Sequence, residues 1–149
     1  MTNSEQYKYK KVMVIDDNEI DRYVAELVME KNLFAQKVVC IESGRDALDY
    51  LFALEGNPEE VPQLIFLDIN MPEMNGFEFL IEYEKLSESI KNNCIIMMLT
   101  TSLHEEDRIK AKENKYVFKF LNKPLSKDKL DNFGVYFQST KTNLNGSEI

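Results

Sequence analysis

Residues 64–76 have the sequence LIFLDINMPEMNG, in which an apolar run ends at one acid and a turn containing Pro and Gly follows. Such a short apolar run predicts a buried strand of a parallel sheet, and the Pro and Gly predict its end. The strand would therefore carry Asp68 at its carboxyl end. Because a buried carboxylate costs free energy unless it has a partner, the pattern indicates a functional acid at this position.

The composition limits the function classes. The chain has 149 residues, 44% of them hydrophobic, which suits one domain with a substantial core. A formal net charge of −8 without a basic run argues against direct binding of nucleic acid. Residues 1–11 lack the apolar core of a signal peptide, and no segment reaches membrane-spanning length. We therefore expect a cytoplasmic protein without membrane insertion.

Cysteine and histidine give little basis for a soft-metal site. Cys40 and Cys94 lie in apolar runs rather than in a spaced motif, so we expect buried free thiols. With His104 as the single histidine, a His-based metal site or a catalytic triad has little to build on.

Apolar runs alternate with segments in which apolar residues recur at helical spacing. The predicted strands are residues 11–15, 37–41, 64–67, 94–99 and 116–121. The predicted helices follow Asn18, Ser43, Gly76, Ser102 and Ser126, where Ser102 with Glu105 resembles a capping box. The lysine inside the fifth strand favours a sheet edge. We expect a polar N-terminal segment over 1–9, a folded domain over 10–139 and a disordered tail over 140–149.

Five strands alternating with five helices predict an α/β fold, a doubly wound parallel sheet with helices on both faces and right-handed crossovers. Ligands of such sheets bind beyond the carboxyl ends of the strands. The predicted strands end at Asp16-Asp17, Asp68, Thr100 and Lys123. Polar side chains from four segments are therefore expected at one edge.

These residue types together indicate phosphoryl chemistry. Carboxylates crowded together repel one another and favour a hard divalent cation such as Mg²⁺. A lysine neutralises a phosphoryl oxygen, and a threonine hydroxyl donates a hydrogen bond to another. Phosphoryl transfer depends on positioning and charge neutralisation, and an aspartate can itself be the nucleophile.

The set of motifs resembles the receiver domain of two-component response regulators, of the stand-alone, chemotaxis-regulator-like kind. The motifs are Asp16-Asp17, Asp68 followed by INMP and Gly76, Leu99-Thr100 and Lys123-Pro124. The resemblance covers residues 10–139. It implies a flavodoxin-like sheet of strand order 2-1-3-4-5 and, often, a cis bond before Pro124.

By that resemblance, Asp68 accepts a phosphoryl group from a sensor histidine kinase, a histidine phosphotransfer protein or a small phosphodonor. Asp17 and Asp68 would ligate Mg²⁺ directly, Asn70 through its backbone carbonyl and Asp16 through water. Lys123 would pair with a phosphoryl oxygen.

The resemblance also implies a switch. Thr100 would move toward the phosphoryl group and Phe120 would turn inward, although many relatives have Tyr there. Thr101 leaves a one-residue ambiguity about which threonine faces the phosphoryl group, and strand alternation favours Thr100. In that family, the positions matched by Asn70 and Ser102 tune hydrolysis of the acyl phosphate. A downstream protein would dock on the face of the predicted fourth helix, fifth strand and fifth helix.

Taken singly, several of these residues also suit ordinary structural roles. Asp16 or Asp17 suits a helix cap, Lys123 a surface lysine and Phe120 ordinary core. Our first hypothesis is a single-domain response regulator of a phosphorelay, a signalling domain rather than an enzyme, because only residues 140–149 follow the last helix.

The second hypothesis is a small Mg-dependent phosphatase or phosphotransferase with an aspartyl-phosphate intermediate. Enzymes of the haloacid-dehalogenase type need a second aspartate two residues after the nucleophile, where this chain has Asn70. The third is a receiver-like binding module that is not phosphorylated.

Overall fold

The computed structural model describes residues 6–132 and contains one parallel five-stranded sheet of order β2-β1-β3-β4-β5. The strands are β1 Tyr9–Ile15, β2 Ala35–Ile41, β3 Leu64–Leu67, β4 Ile95–Thr100 and β5 Val117–Asn122. The helices are α1 Glu19–Lys31, α2 Gly44–Phe52, α3 Gly76–Tyr83, α4 Glu88–Lys91 and α5 Glu105–Glu113, with a 3₁₀ helix at Pro58–Glu60. The predicted fold class and strand order are confirmed.

Alternate side chains of the central strands enter two cores, one on each face of the sheet. Ile65 and Leu67 of β3 join the core that includes α2 and α3, whereas Leu64 and Phe66 join the core that includes α1. All of β3 is buried, which explains its continuous apolar run. The edge position of β5, with Lys119 exposed, confirms the prediction for that strand.

The beginning of α5, the predicted fourth helix, differs from the prediction. The predicted capping box of Ser102 and Glu105 is wrong, because the helix begins at Glu105 and its N-cap is His104, whose side chain makes no capping hydrogen bond. The Ser102 hydroxyl instead donates to Asp107 Oδ2 at 2.6 Å. The Ser102 hydroxyl therefore hydrogen-bonds to an acid in the first turn of the helix instead of capping the helix.

The remaining helix ends follow simple rules. Asn18 and Ser43 cap α1 and α2 as predicted, each accepting a hydrogen bond from the backbone three residues on. The helical turn α4 lies in a polar stretch where the sequence predicted no helix. Residues 127–132 are helical, and the rest of the predicted fifth helix, residues 1–5 and the tail lie outside the described residues.

Both cysteines are free thiols, with Cys94 buried and Cys40 half-buried. Within residues 6–132, the structure contains no helix with the length and hydropathy needed to cross a membrane.

Candidate functional site

The sheet brings two acids side by side. Ile15 is paired in register with Leu67, so Asp16 and Asp68, the next residues, leave neighbouring parallel strands at the same edge. A backbone hydrogen bond also joins the ends of the two strands, because Asp68 N donates to Ile15 O at 3.0 Å. The position of Asp68 thus follows from the strand register rather than from a flexible loop.

Asp16, Asp17 and Asp68 form an acidic cluster whose carboxylate oxygens lie within 4.8 Å of one another. Asp16 and Asp68 are buried, and Asp17 is exposed. Burial raises the pKa of Asp16 above its ordinary value, and the nearby Asp68 raises it further, against the lowering effect of hydrogen bonds from Lys123 and the backbone of Asn18. Keeping Asp16 ionised therefore costs the folded protein free energy.

The cluster fits a hard divalent cation. Oxygen atoms around Mg²⁺ at about 2.1 Å lie roughly 3 to 4 Å apart, so carboxylates within 4.8 Å need only a small movement. Asn70 lies two residues beyond Asp68 and is exposed.

Lys123 reaches the cluster from the end of β5. Its Nζ lies 2.7 Å from Asp16 Oδ2 and 3.3 Å from Asp68 Oδ2. Burial lowers the pKa of Lys123, but the hydrogen bonds to Asp16 and Asp21 and the charge of Asp68 outweigh it, so the net pKa is raised and the ammonium stays charged. The Lys123-Pro124 peptide bond is cis, as the family resemblance implied.

Asp21 is a member of the site that the sequence did not predict. Its Oδ2 lies 2.6 Å from Lys123 Nζ, the shortest of the three carboxylate contacts of that lysine. Asp21 belongs to the first turn of α1, where its N–H donates to the side chain of the cap Asn18. The available sequence signal for Asp21 was an acid in the first turn of a helix, three residues after the cap. That pattern does not reveal a partner 102 residues away.

The loop after Asp68 passes close to α3. A Cβ on Gly76 would lie 2.6 Å from Asp68 O and 3.0 Å from Ile69 Cα, so only glycine allows this approach. The loop also contains a tight turn, in which Met74 N donates to Pro72 O at 2.7 Å while Glu73 has a φ of 68°.

A capping box of Asn75 and Glu78, which sequence analysis did not identify, fixes the start of α3.

The two threonines at the end of β4 differ in burial. Thr100 is fully buried, whereas Thr101 is exposed. Thr100 Oγ1 accepts a hydrogen bond from Ser102 N at 3.2 Å, and Thr100 O accepts one from Lys123 N at 2.8 Å. Ser102 is buried, and its hydroxyl is donated to Asp107.

Phe120 lies at the contact between β5 and α5. It is paired in register with Met98 and packs against the core on the α2 and α3 side of the sheet. The guanidinium carbon of Arg108 lies 5.1 Å from the centre of the Phe120 ring. Phe120 also lines a cavity of about 320 Å³ between these two elements.

These features define a class of protein: a doubly wound α/β domain with acids and a lysine gathered at the carboxyl edge of its sheet. The family model described as response regulator receiver domain matches residues 12–133. The chain therefore belongs to the response regulator receiver domain family, a family of signalling domains rather than of enzymes in the usual sense.

Individual relatives agree with this family. The chain is 30% identical over 115 residues to the probable methanogenesis regulatory protein FilR2 of Methanothrix harundinacea, covering 77% of this chain and 72% of that protein. It is 32% identical over 121 residues to the two-component response regulator ORR1 of Oryza sativa subsp. japonica, covering 79% of this chain but only 51% of that protein.

A solved structure is also similar. The two-component response regulator from Cytophaga hutchinsonii superposes with a TM-score of 0.80 at 27% identity, covering 87% of this chain and 97% of that one.

Proposed function

We propose that this chain is a response regulator that accepts a phosphoryl group on Asp68, in a Mg²⁺-dependent reaction, from a histidine kinase or a histidine phosphotransfer protein. The observation that carries the proposal is the position of Lys123 Nζ, 3.3 Å from Asp68 Oδ2, beside three carboxylates within 4.8 Å of one another. A nucleophilic carboxylate, a cation for the phosphoryl oxygens and oxygen ligands for a metal then lie at one edge.

The transfer follows from these positions. A carboxylate oxygen of Asp68 attacks the phosphorus of a phosphohistidine, the new O–P bond forms, the P–N bond breaks, and the imidazole leaves and takes up a proton. Mg²⁺, when bound, would neutralise phosphoryl oxygens, with Asp17, Asp68 and the Asn70 carbonyl as direct ligands and Asp16 through water. Lys123 would contact another phosphoryl oxygen.

The readout would involve Thr100 and Phe120. Thr100 would donate its hydroxyl to the phosphoryl group, and Phe120 would turn into the space vacated, a packing change driven by a local charge. The neighbouring α5 supports this proposal, because Ala111 is its buried member while Ile109 is 47% exposed. A thinly anchored helix suits a docking face for a downstream protein, formed with β5 and the following helix.

Hydrolysis of the acyl phosphate would be tuned beside the same site. Asn70 is exposed two residues after Asp68, and its amide would orient an attacking water. Ser102 would do so only after releasing Asp107. A cytoplasmic location and the boundaries at residues 10 and 139 remain predictions from the sequence.

Intact mass measurement tests the proposal. The protein is incubated with Mg²⁺ and acetyl phosphate or phosphoramidate, beside Asp68→Ala and, as a matched control, Asp49→Asn on the exposed surface of α2. We expect the mass of one phosphoryl group on the wild type and on Asp49→Asn, none on Asp68→Ala, and none after chelation.

An unmodified wild type would favour the inert binding module, and turnover of small phosphate esters would favour the enzyme.

A further inference from the structure

Asp21 shares Lys123 with the acidic cluster without belonging to that cluster. Its carboxylate lies 2.6 Å from Lys123 Nζ, and the contacts with Asp16 and Asp68 are 2.7 and 3.3 Å. The backbone of Asp21 is fixed, because its N–H donates to Asn18 Oδ1 at 2.9 Å in the cap of α1. The acid is therefore held at the lysine by the start of a helix.

Three carboxylates surround the ammonium group of Lys123. An ammonium group has three N–H donors, and each of the three carboxylates accepts from it or lies beside it. A phosphoryl group on Asp68 brings further oxygen acceptors to the same place. These oxygens and the carboxylate of Asp21 then compete for the N–H groups of Lys123.

Exposure decides which partner is released. The side chain of Asp21 is 35% exposed, whereas those of Asp16 and Asp68 are 4% and 7% exposed. Water can solvate the carboxylate of Asp21 once the lysine leaves, whereas Asp16 would be left as a buried anion without a cationic partner, and the contact with Asp68 passes to the phosphoryl group that Asp68 then carries. Release of Asp21 is therefore the least costly.

We propose that Asp21 is a positioning residue that competes with the incoming phosphoryl group for Lys123 and slows uptake of phosphate from small anionic donors. The inference rests on the proposed function of Asp68. Two physical effects act in the same direction: Asp21 holds the ammonium in the unphosphorylated protein, and its negative charge repels an anionic donor near the site. Removing that charge should free Lys123 and speed the transfer.

The test is the initial rate of acyl phosphate formation in Asp21→Asn, measured by quenching and intact mass at fixed Mg²⁺ over a range of acetyl phosphate concentrations. We expect the rate to rise roughly 1.5-fold to fivefold, the range for a partly exposed ion pair. Glu19→Gln is the matched control, since it removes an acid from the same helical turn without removing a contact of Lys123, and it should raise the rate much less than Asp21→Asn does.

Charge-specific readouts exclude a merely structural effect. Asp21→Glu should return the rate toward that of the wild type. The gain in Asp21→Asn should shrink as NaCl is added, and it should be larger for acetyl phosphate, a dianion at neutral pH, than for phosphoramidate with its single net negative charge. Thermal unfolding with and without Mg²⁺ shows that each variant is folded.

Three results would overturn the inference alone: an unchanged or slower rate in Asp21→Asn with a phosphorylated wild type, an equal gain in Glu19→Gln, or a gain that salt does not reduce. Absence of phosphoryl mass on both the wild type and Asp21→Asn would overturn the proposed function, and this inference with it.

Discussion

Asp17 is the exposed member of an acidic cluster whose other two carboxylates are buried. Its charge raises the repulsion within the cluster, and Lys123 contacts Asp16 and Asp68 rather than Asp17. Asp17 is thus the acid whose charge can be removed without breaking an ion pair of the site. An amide there should relieve repulsion in the metal-free protein and remove a ligand for the cation.

We therefore predict that Asp17→Asn raises the unfolding temperature in chelator by a few degrees, corresponding to about 1 kcal/mol, and that it abolishes most of the rise caused by Mg²⁺ in the wild type. Thermal unfolding in chelator and across a Mg²⁺ titration measures both. Asp49→Asn, an exposed acid in α2, should show neither change. A variant that responds to Mg²⁺ as strongly as the wild type would contradict the assignment of Asp17.

Among the single residues of the site, those that directly follow a strand could be predicted from the sequence. Asp16, Asp68 and Lys123 were identified because the carboxyl ends of parallel strands share an edge, and this needs no knowledge of side-chain contacts. Asp21 was not identified, because its role depends on a lysine far along the chain. Ser102 was assigned to the wrong partner, since both Glu105 and Asp107 follow it at plausible distances and only packing decides between them.

The position of Asp68 depends on the loop that connects β3 to α3. Gly76 N donates to Ile69 O at 2.8 Å, and the missing Cβ lets α3 begin against the backbone of the loop. A backbone atom cannot move away as the end of a flexible side chain can. Any side chain at position 76 must therefore displace either α3 or the loop that follows Asp68.

We predict that Gly76→Ala lowers the free energy of unfolding by roughly 1 to 3 kcal/mol and slows phosphorylation of Asp68. Urea unfolding and the intact-mass assay measure these effects. Gly56→Ala is the matched control, because nothing lies within 4 Å of its Cβ position and its φ is not positive. It should be neutral or slightly stabilising. Equal stabilities of the two variants would show that the close approach is not required.

Elements with long apolar runs were predictable, and elements made by local polar contacts were not. The central strands follow from their apolar runs because they are buried on both faces, and the edge strands β2 and β5 follow from shorter runs of apolar residues. The turn α4 lies in a polar stretch, and Ile90 is its buried residue, which gives too little periodicity to detect. The cap of α5 depends on the hydrogen-bond partner of the Ser102 hydroxyl, which the sequence does not determine.

The whole molecule carries a net charge of −8, and burial adds to the cost of further negative charge. Burial raises the pKa of the buried phenols Tyr9 and Tyr83, so both stay neutral in the folded protein. The pKa of the Cys40 thiol is raised for the same reason. Burial, and to a smaller extent the charge of Glu26, raise it from 9.0 to about 11. The folded state therefore holds protons that the unfolded chain releases.

This difference lowers the stability of the folded protein at alkaline pH. Below pH 9 the Cys40 thiol is protonated in both the folded and the unfolded state, so its full contribution to the free energy of unfolding is present. Between pH 9 and about 11 the unfolded thiol ionises while the folded one keeps its proton, so the free energy of unfolding falls as the pH rises. We predict that, from pH 8 to pH 10, the wild type loses about 1 kcal/mol more than Cys40→Ala does. Urea midpoints with a reducing agent at pH 8, 9 and 10 measure the difference, in which the tyrosine contributions cancel because both proteins contain them. Parallel curves for the two proteins would show that Cys40 ionises as readily in the folded state as in the unfolded chain.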